Sequence, residues 1–132
     1  MPNFIQTTPF MHVPLPQFEA AVGFFRDLLG FQEFIHGRDY AYLEREGCGI
    51  RIWGRQNASD APRGARNFRY YYDVHDVDGL YVELKSKLDK LPDGDVHGPA
   101  NKAYGQRELL VLAPDGDLVC FGQAIFKMPT AS

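Results

Sequence analysis

The side chains with the most chemical reach are aromatic rings interleaved with arginines. In Ile50-Arg51-Ile52-Trp53 the two isoleucines belong to a packed side, and alternation along a strand then turns Arg51 and Trp53 to the other side. In Tyr40-Ala41-Tyr42-Leu43 the same logic sets Tyr40 and Tyr42 opposite Ala41 and Leu43, and Arg69, Tyr71 and Asp73 share one face of a later strand. Faces of this composition suit the stacking of a flat heteroaromatic molecule and the fixing of its polar groups. They show no paired acid and base. Ordinary sheet packing is the alternative role for the tyrosines. For Arg51 and Arg69 the choice is between gripping a carboxylate or phosphate and pairing with Glu44, Asp73 or Glu108.

Other residue types capable of chemistry are more scattered. The cysteines, Cys48 and Cys120, lack a neighbouring His or basic cluster that would favour a thiolate, and both read as small core or wall residues. Pro92-Asp93-Gly94-Asp95 and Pro114-Asp115-Gly116-Asp117 resemble fragments of a calcium loop without its ordered spacing or distal Glu, so they read as turns. His36, His75 and His97 fall at or near turns and share no register with His12.

The elements that must carry these residues form one pattern, used twice. A strand over 8–14 ends at Pro14 and Pro16; an amphipathic helix from Gln17 to Leu29 follows, with Phe18, Val22, Phe25, Leu28 and Leu29 at helical spacing and Gly30 after it. Three short strands come next, over 31–36, 40–45 and 49–53. Residues 54–67, rich in Arg, Gly, Asn, Ser and Asp, form a linker. The order then repeats: a strand over 68–74, a helix capped by Asp76 and running to about Leu91, and strands over 95–97, 104–112 and 118–121. Module one thus spans about 8–53, module two about 68–123, and a frayed tail 124–132. A four-stranded sheet with one helix buries a single face, so each module needs cover for its other face, and pairing two such sheets would enclose a cavity.

Length and composition bound the function. A chain of 132 residues with 45% apolar and 23% charged residues is one globular domain or two half-size modules. Fourteen Lys and Arg against seventeen Asp and Glu give a net charge of -3, without the basic footprint of a nucleic-acid binder. The cysteine pair makes no disulfide framework, the N-terminus lacks the pattern of an export signal, and no apolar run could span a bilayer, so a cytoplasmic location is expected. Ten Phe, seven Tyr and one Trp are more than packing a small domain requires.

Three stretches together resemble the vicinal oxygen chelate superfamily, which includes glyoxalase I, ring-cleaving dioxygenases and bleomycin-resistance proteins. They are Phe24-Phe25-Arg26-Asp27-Leu28-Leu29-Gly30-Phe31, Asp73-Val74-His75-Asp76-Val77-Asp78-Gly79-Leu80-Tyr81, and Tyr104-Gly105-Gln106-Arg107 followed by Ala113-Pro114-Asp115-Gly116-Asp117-Leu118. The resemblance implies an α+β fold, two βαβββ modules in one chain forming a cupped mixed sheet with the helices outside. It also implies a homodimer, because similar single-chain proteins build ligand grooves across a dimer.

Metal-dependent members of the superfamily place a His on the first strand of each module and a Glu on the last. By motif register these positions fall on Phe10 and Arg69, on Cys120, and near Arg51. None is an imidazole or a carboxylate. His12 shares the strand face of Phe10, yet one imidazole opposite a guanidinium makes no divalent site. Tyr104 matches an aromatic position of the ligand-stacking loop in the resistance proteins. The expected ligand-binding set is therefore Phe10, His12, Tyr40, Tyr42, Arg51, Trp53, Arg69, Tyr71, Tyr104, Glu108 and Cys120, with no catalytic residue, metal or cofactor. The expected function is sequestration of an aromatic small molecule of the antibiotic or natural-product class, with no nucleic-acid or membrane partner. A metal-dependent lyase, transferase or dioxygenase using His12 and a peptide- or partner-binding subunit are the rivals.

Overall fold

The computed structural model describes residues 2–56 and 64–125. The chain falls into two compact units, Met1–Arg63 and Gly64–Ser132, and each contains one sheet of four strands with a helix on one face.

In the first unit the order is β1 (Phe10–Pro14), a helical segment, β2 (Gln32–His36), β3 (Tyr40–Arg45) and β4 (Cys48–Arg55). The sheet runs β1-β4-β3-β2, with β1 parallel to β4 and the other pairs antiparallel. The helical segment differs from the single α-helix predicted over 17–29. It opens with a 3-10 turn at Leu15–Gln17, becomes α1 at Phe18–Gly23, and widens into a π turn at Phe24–Leu28, where Leu29 N–H donates to Phe24 O at 3.2 Å. The doublets Phe24-Phe25 and Leu28-Leu29 explain why spacing alone does not reveal the extra residue. The widened turn still buries Phe25 and Leu29 together with Phe18, Ala21 and Val22. Against them pack Met11 and Val13 of β1, Ala41 and Leu43 of β3, and Ile50 and Ile52 of β4, all fully buried. Each large side chain so buried contributes about 1.5–3 kcal/mol.

The second unit repeats the topology. Strands β5 (Arg69–Asp73), β6 (Val96–Asn101), β7 (Gln106–Leu112) and β8 (Leu118–Ala124) form a sheet in the order β5-β8-β7-β6, and α2 (Val77–Leu88) follows β5. Asp76 caps α2 by accepting from Gly79 N–H at 3.0 Å, while Lys85 and Lys87 sit in its last turn, where cations complement the helix dipole. Val77, Leu84 and Leu88 are buried under the helix, against the face that carries Tyr70, Tyr72, Leu109, Val111, Val119 and Phe121. The helix ends three residues short of the predicted Leu91, which lies half-buried in the turn leading to Pro92.

Several boundaries move for identifiable reasons. Strand β4 runs to Arg55 because β1 pairs with it as far as Pro14↔Arg55, so the linker begins later than residue 54; residues 57–63 of that linker lie outside the described residues. At its far end Gly64 N–H donates to Asp115 O and Arg66 N–H to Gly116 O, which joins 64–66 to the β7–β8 turn. Ala124 closes β8, and Ile125 N–H donates to Gly105 O at 3.0 Å; the rest of the tail, 126–132, is outside the described residues. Both Pro-Asp-Gly-Asp stretches are hydrogen-bonded turns, with Asp95 N–H donating to Pro92 O and Gly116 N–H to Ala113 O. Among the described residues no helix is long and apolar enough to cross a membrane.

Candidate ligand-binding faces

The side of the first sheet away from its helix carries six of the expected residues in two lateral rows. Phe10, Arg51 and Tyr42 are in register across β1, β4 and β3, and His12, Trp53 and Tyr40 form the next row. Alternation produces this outcome because every intervening residue, Met11, Ala41, Ile50 and Ile52, is aliphatic or sulfur-bearing and is taken up by the helix side. His12 meets Trp53 edge to face at 5.1 Å between centroids and Phe10 at 5.5 Å, so it is a wall residue among rings. Phe10 in turn lies 5.9 Å from Tyr40. Trp53 remains 40% exposed and Phe10 48%, leaving ring surface available to a ligand.

Arg51 is built into this aromatic floor. Its guanidinium sits 4.6 Å above the Tyr42 ring, and its Nη1 donates to the Tyr40 hydroxyl. Among the described residues of its own unit Arg51 forms no ion pair with Glu44. Glu44 instead accepts from the Tyr42 hydroxyl at 2.5 Å, an interaction that raises the Tyr42 pKa above the ordinary phenol value. Gln6 Nε2 donates to the same hydroxyl at 2.9 Å. Tyr42 can lie flat across β4 because residue 49 is glycine: a Cβ there would stand 2.7 Å from the phenolic oxygen.

On the second sheet Arg69, Tyr71 and Asp73 of β5 share a face with Cys120 and Gly122 of β8 and with Gln106 and Glu108 of β7. Here an ion pair does form, between a buried carboxylate and a partly exposed guanidinium. Arg69 Nη1 donates to Glu108 Oε1 at 2.9 Å and to the Tyr104 hydroxyl at 3.1 Å, and that hydroxyl donates to Glu108 Oε1 at 2.6 Å. The contact with Tyr104, followed by the attraction of Glu108, raises the Arg69 pKa, and Glu108 raises that of Tyr104. Glu108 is 0% exposed, and the Tyr71 hydroxyl and the Cys120 thiol are also side-chain hydrogen-bond partners of it. Tyr71 lies on Gly122, where a Cβ would stand 1.9 Å from its oxygen, and its hydroxyl donates to Gln106 Oε1 at 3.3 Å. Burial first, and the nearby Glu108 carboxylate second, hold the Tyr71 proton well above the usual phenol range.

Cys120 is fully buried beside this cluster, and desolvation, reinforced by Glu108, pushes its thiol up to about 12. Cys48 corrects the sequence reading: it is exposed, not a core or wall residue, because it opens β4 directly after the Glu46-Gly47 turn, at the end of the sheet.

The residues at the metal-ligand register do not fit a divalent ion. Phe10 and Arg51 stand side by side in sheet one, while Arg69 and Cys120 occupy sheet two on adjacent strands. A guanidinium has no lone pair to offer, and a thiol that keeps its proton is not a thiolate ligand. Among the described residues no three His, Cys, Asp or Glu side chains lie together in a way that could hold a metal ion.

Sequence reasoning missed four contributors. Phe34, 57% exposed, lies 6.2 Å from Tyr42, but a bulge between Glu33 and Ile35 breaks the alternation that would have assigned its face. Arg55, placed in the linker, stacks over Trp53 at 5.6 Å. Gln6 and Gln106 act through side-chain hydrogen bonds that no spacing announces.

No protein-family model matches the chain. Among curated proteins it is similar to the bleomycin resistance protein of Geobacillus stearothermophilus, with 26% identity over 92% of this chain and 98% of that protein. Among solved structures it is similar to the bleomycin-binding protein of bleomycin-producing Streptomyces verticillus in complex with copper(II)-bleomycin. That pair shares 26% identity over 92% of this chain and 97% of the other, with a TM-score of 0.70. A bleomycin resistance determinant encoded on transposon Tn5 superposes with a TM-score of 0.73 at 21% identity, covering 93% of this chain and all of that one. The two-module α+β arrangement is therefore the glyoxalase/bleomycin-resistance fold.

Proposed function

We propose that this chain, a member of the vicinal oxygen chelate superfamily, binds and sequesters a flat aromatic small molecule of the antibiotic class, without metal and without turnover. The observation that carries the reading is the open face of the first sheet. Phe10, His12, Tyr40 and Trp53 present exposed or half-buried rings around an arginine that is itself flat and stacked. Protection by binding needs affinity and stoichiometry, and a surface of rings with a fixed guanidinium meets that need without an acid and base poised for proton transfer. The similarity to proteins named for bleomycin resistance and bleomycin binding supports the antibiotic class of ligand. In this reading the protein acts in the cytoplasm as a homodimer.

The test uses Trp53, the only tryptophan. Metal-free bleomycin titrated into chelator-treated protein is expected to quench its emission saturably, with Trp53→Phe silent in fluorescence but still binding by calorimetry. Phe10→Ala should weaken binding by roughly tenfold, the value of about one aromatic contact. A folded protein that responds neither to bleomycin nor to quinoxaline compounds by either method would refute the reading.

A further inference from the structure

The ring-bearing face of the first sheet has hydrogen-bond donors in excess of acceptors. Arg51 Nη1 donates to the Tyr40 hydroxyl oxygen, and the guanidinium sits 4.6 Å above the Tyr42 ring. Among the described residues of its unit, Arg51 Nε and Nη2 have no hydrogen bond and the guanidinium has no carboxylate partner. The Tyr40 hydroxyl, having accepted from Arg51, keeps its own O–H for a further acceptor, and none of those residues provides one. The carboxylate that shares this face, Glu44, is occupied by the Tyr42 hydroxyl at 2.5 Å. A second cation, Arg55, lies over the Trp53 ring at 5.6 Å and likewise has no carboxylate partner among the described residues of the unit.

The charge at this point decides what kind of group fits. Arg51 and Tyr40 are half-buried among rings, where a hydrogen bond between ionised partners is roughly twice as strong as one between neutral groups. A cation would meet two guanidiniums with one carboxylate to offset them. An anion gains from both. A planar carboxylate also matches the shape of the donors, because its two oxygens can take parallel N–H groups of the fork while the phenol supplies one more. The aromatic body attached to it can then lie against Phe10 and Trp53, which flank Arg51 and Tyr40 in the two rows and are exposed on an open sheet face. We propose that Arg51 and the Tyr40 hydroxyl form a subsite for a carboxylate carried directly on the ligand's ring, so that the preferred ligand is an aromatic acid. The proposal rests on the small-molecule reading above and names the polar group that its ligand carries.

The experiment compares three probes on the full chain by calorimetry: quinoxaline-2-carboxylate, its neutral isostere quinoxaline-2-carboxamide, and quinoxalin-2-ylmethylammonium. The carboxylate is expected to bind at least ~10-fold more tightly than the carboxamide, the difference between a charged and a neutral acceptor on the same donors, and the ammonium to bind weakest. Arg51→Gln is the localising variant. It keeps a planar donor group and removes the charge, so the preference for carboxylate over carboxamide should fall to about onefold. Equal binding of these two probes to the wild-type protein, an unchanged preference in R51Q, or tightest binding of the ammonium each overturns the proposal and leaves the reading standing. So does failure of all three where bleomycin quenches Trp53; failure of bleomycin as well removes both. Should R51Q not fold, Tyr40→Phe takes its place: loss of the phenol donor should cut the carboxylate preference several-fold, and an unchanged preference overturns the assignment.

Discussion

Gly122→Ala isolates the contact that shapes the second sheet's open face. The added Cβ would stand 1.9 Å from the Tyr71 hydroxyl oxygen, 2.4 Å from Cζ and 2.6 Å from Cε1, distances that no pair of unbonded atoms sustains. The backbone at 122 is not left-handed, so the strain falls on the tyrosine and not on the strand. Tyr71 has room to yield, being 38% exposed and held at its tip by a 3.3 Å hydrogen bond to Gln106 and by its interaction with Glu108, so it should rotate outward and leave β5 and β8 paired. Overpacking costs about 1–3 kcal/mol, and replacing a strand glycine by alanine returns about 0.5–1 kcal/mol. The expected net destabilisation is about 1–2 kcal/mol, a fall of several degrees in Tm. In a Tyr71→Ala background the same substitution should be neutral or stabilising by ~0.5 kcal/mol, because the clash is gone and the propensity gain remains. Urea unfolding of the four proteins in this double-mutant cycle measures the coupling directly, provided the m-values agree. A G122A cost that is the same within ~0.5 kcal/mol in both backgrounds would refute the picture of a tyrosine resting on a bare strand.

Two further outcomes follow from the electrostatics and burial. His36 lies between Glu19 (2.9 Å) and Glu33 (3.0 Å), and its pKa is raised, chiefly by Glu19. A raised folded-state pKa means that its contribution is fully present below the ordinary imidazole value and is lost as pH climbs through the folded one. His36→Ala should therefore cost a few tenths to about 1 kcal/mol at pH 6 and little at pH 9, read by urea unfolding at both; an equal cost at the two pH values would contradict this assignment. Under native conditions an aromatic disulfide reagent should titrate one thiol per chain quickly, Cys48, and the second only on unfolding, since Cys120 is buried with its pKa pushed up to about 12. Mass spectrometry of the labelled peptide checks the assignment, and early modification of Cys120 would be the contrary result.

The aromatic face was legible in the sequence for a specific physical reason. Arg51 and Trp53 alternate with Ile50 and Ile52, and Tyr40 and Tyr42 with Ala41 and Leu43, so a period of two sorts polar and aromatic side chains from aliphatic ones without ambiguity. Where the period breaks, the reading stops: the bulge at Glu33/Ile35 conceals Phe34, and the π turn after Gly23 passes for ordinary helix. The polar cluster of the second sheet was legible only in part. Arg69, Tyr71 and Glu108 could be nominated, but that one carboxylate oxygen would take two donors depends on Tyr104 reaching Glu108 from the turn before β7 and on Arg69, 39 residues away in sequence. Gly49 and Gly122 carry no sequence signal at all of the phenols that lie on them.

Each half of the chain closes its own sheet, with the first strand parallel to the last and a helix of its own beneath. Two units of the same topology can carry different surfaces. In this molecule one unit carries a shelf of rings around a permanent positive charge, and the other carries an arginine–glutamate pair on the face away from its helix. Substitutions on the ring-bearing face of the first sheet touch strands whose aliphatic packing lies on the other side, whereas on the second sheet Leu110, Leu118 and Cys120 are buried on the same face as the ion pair, so changes there bear on the frame as well as on recognition.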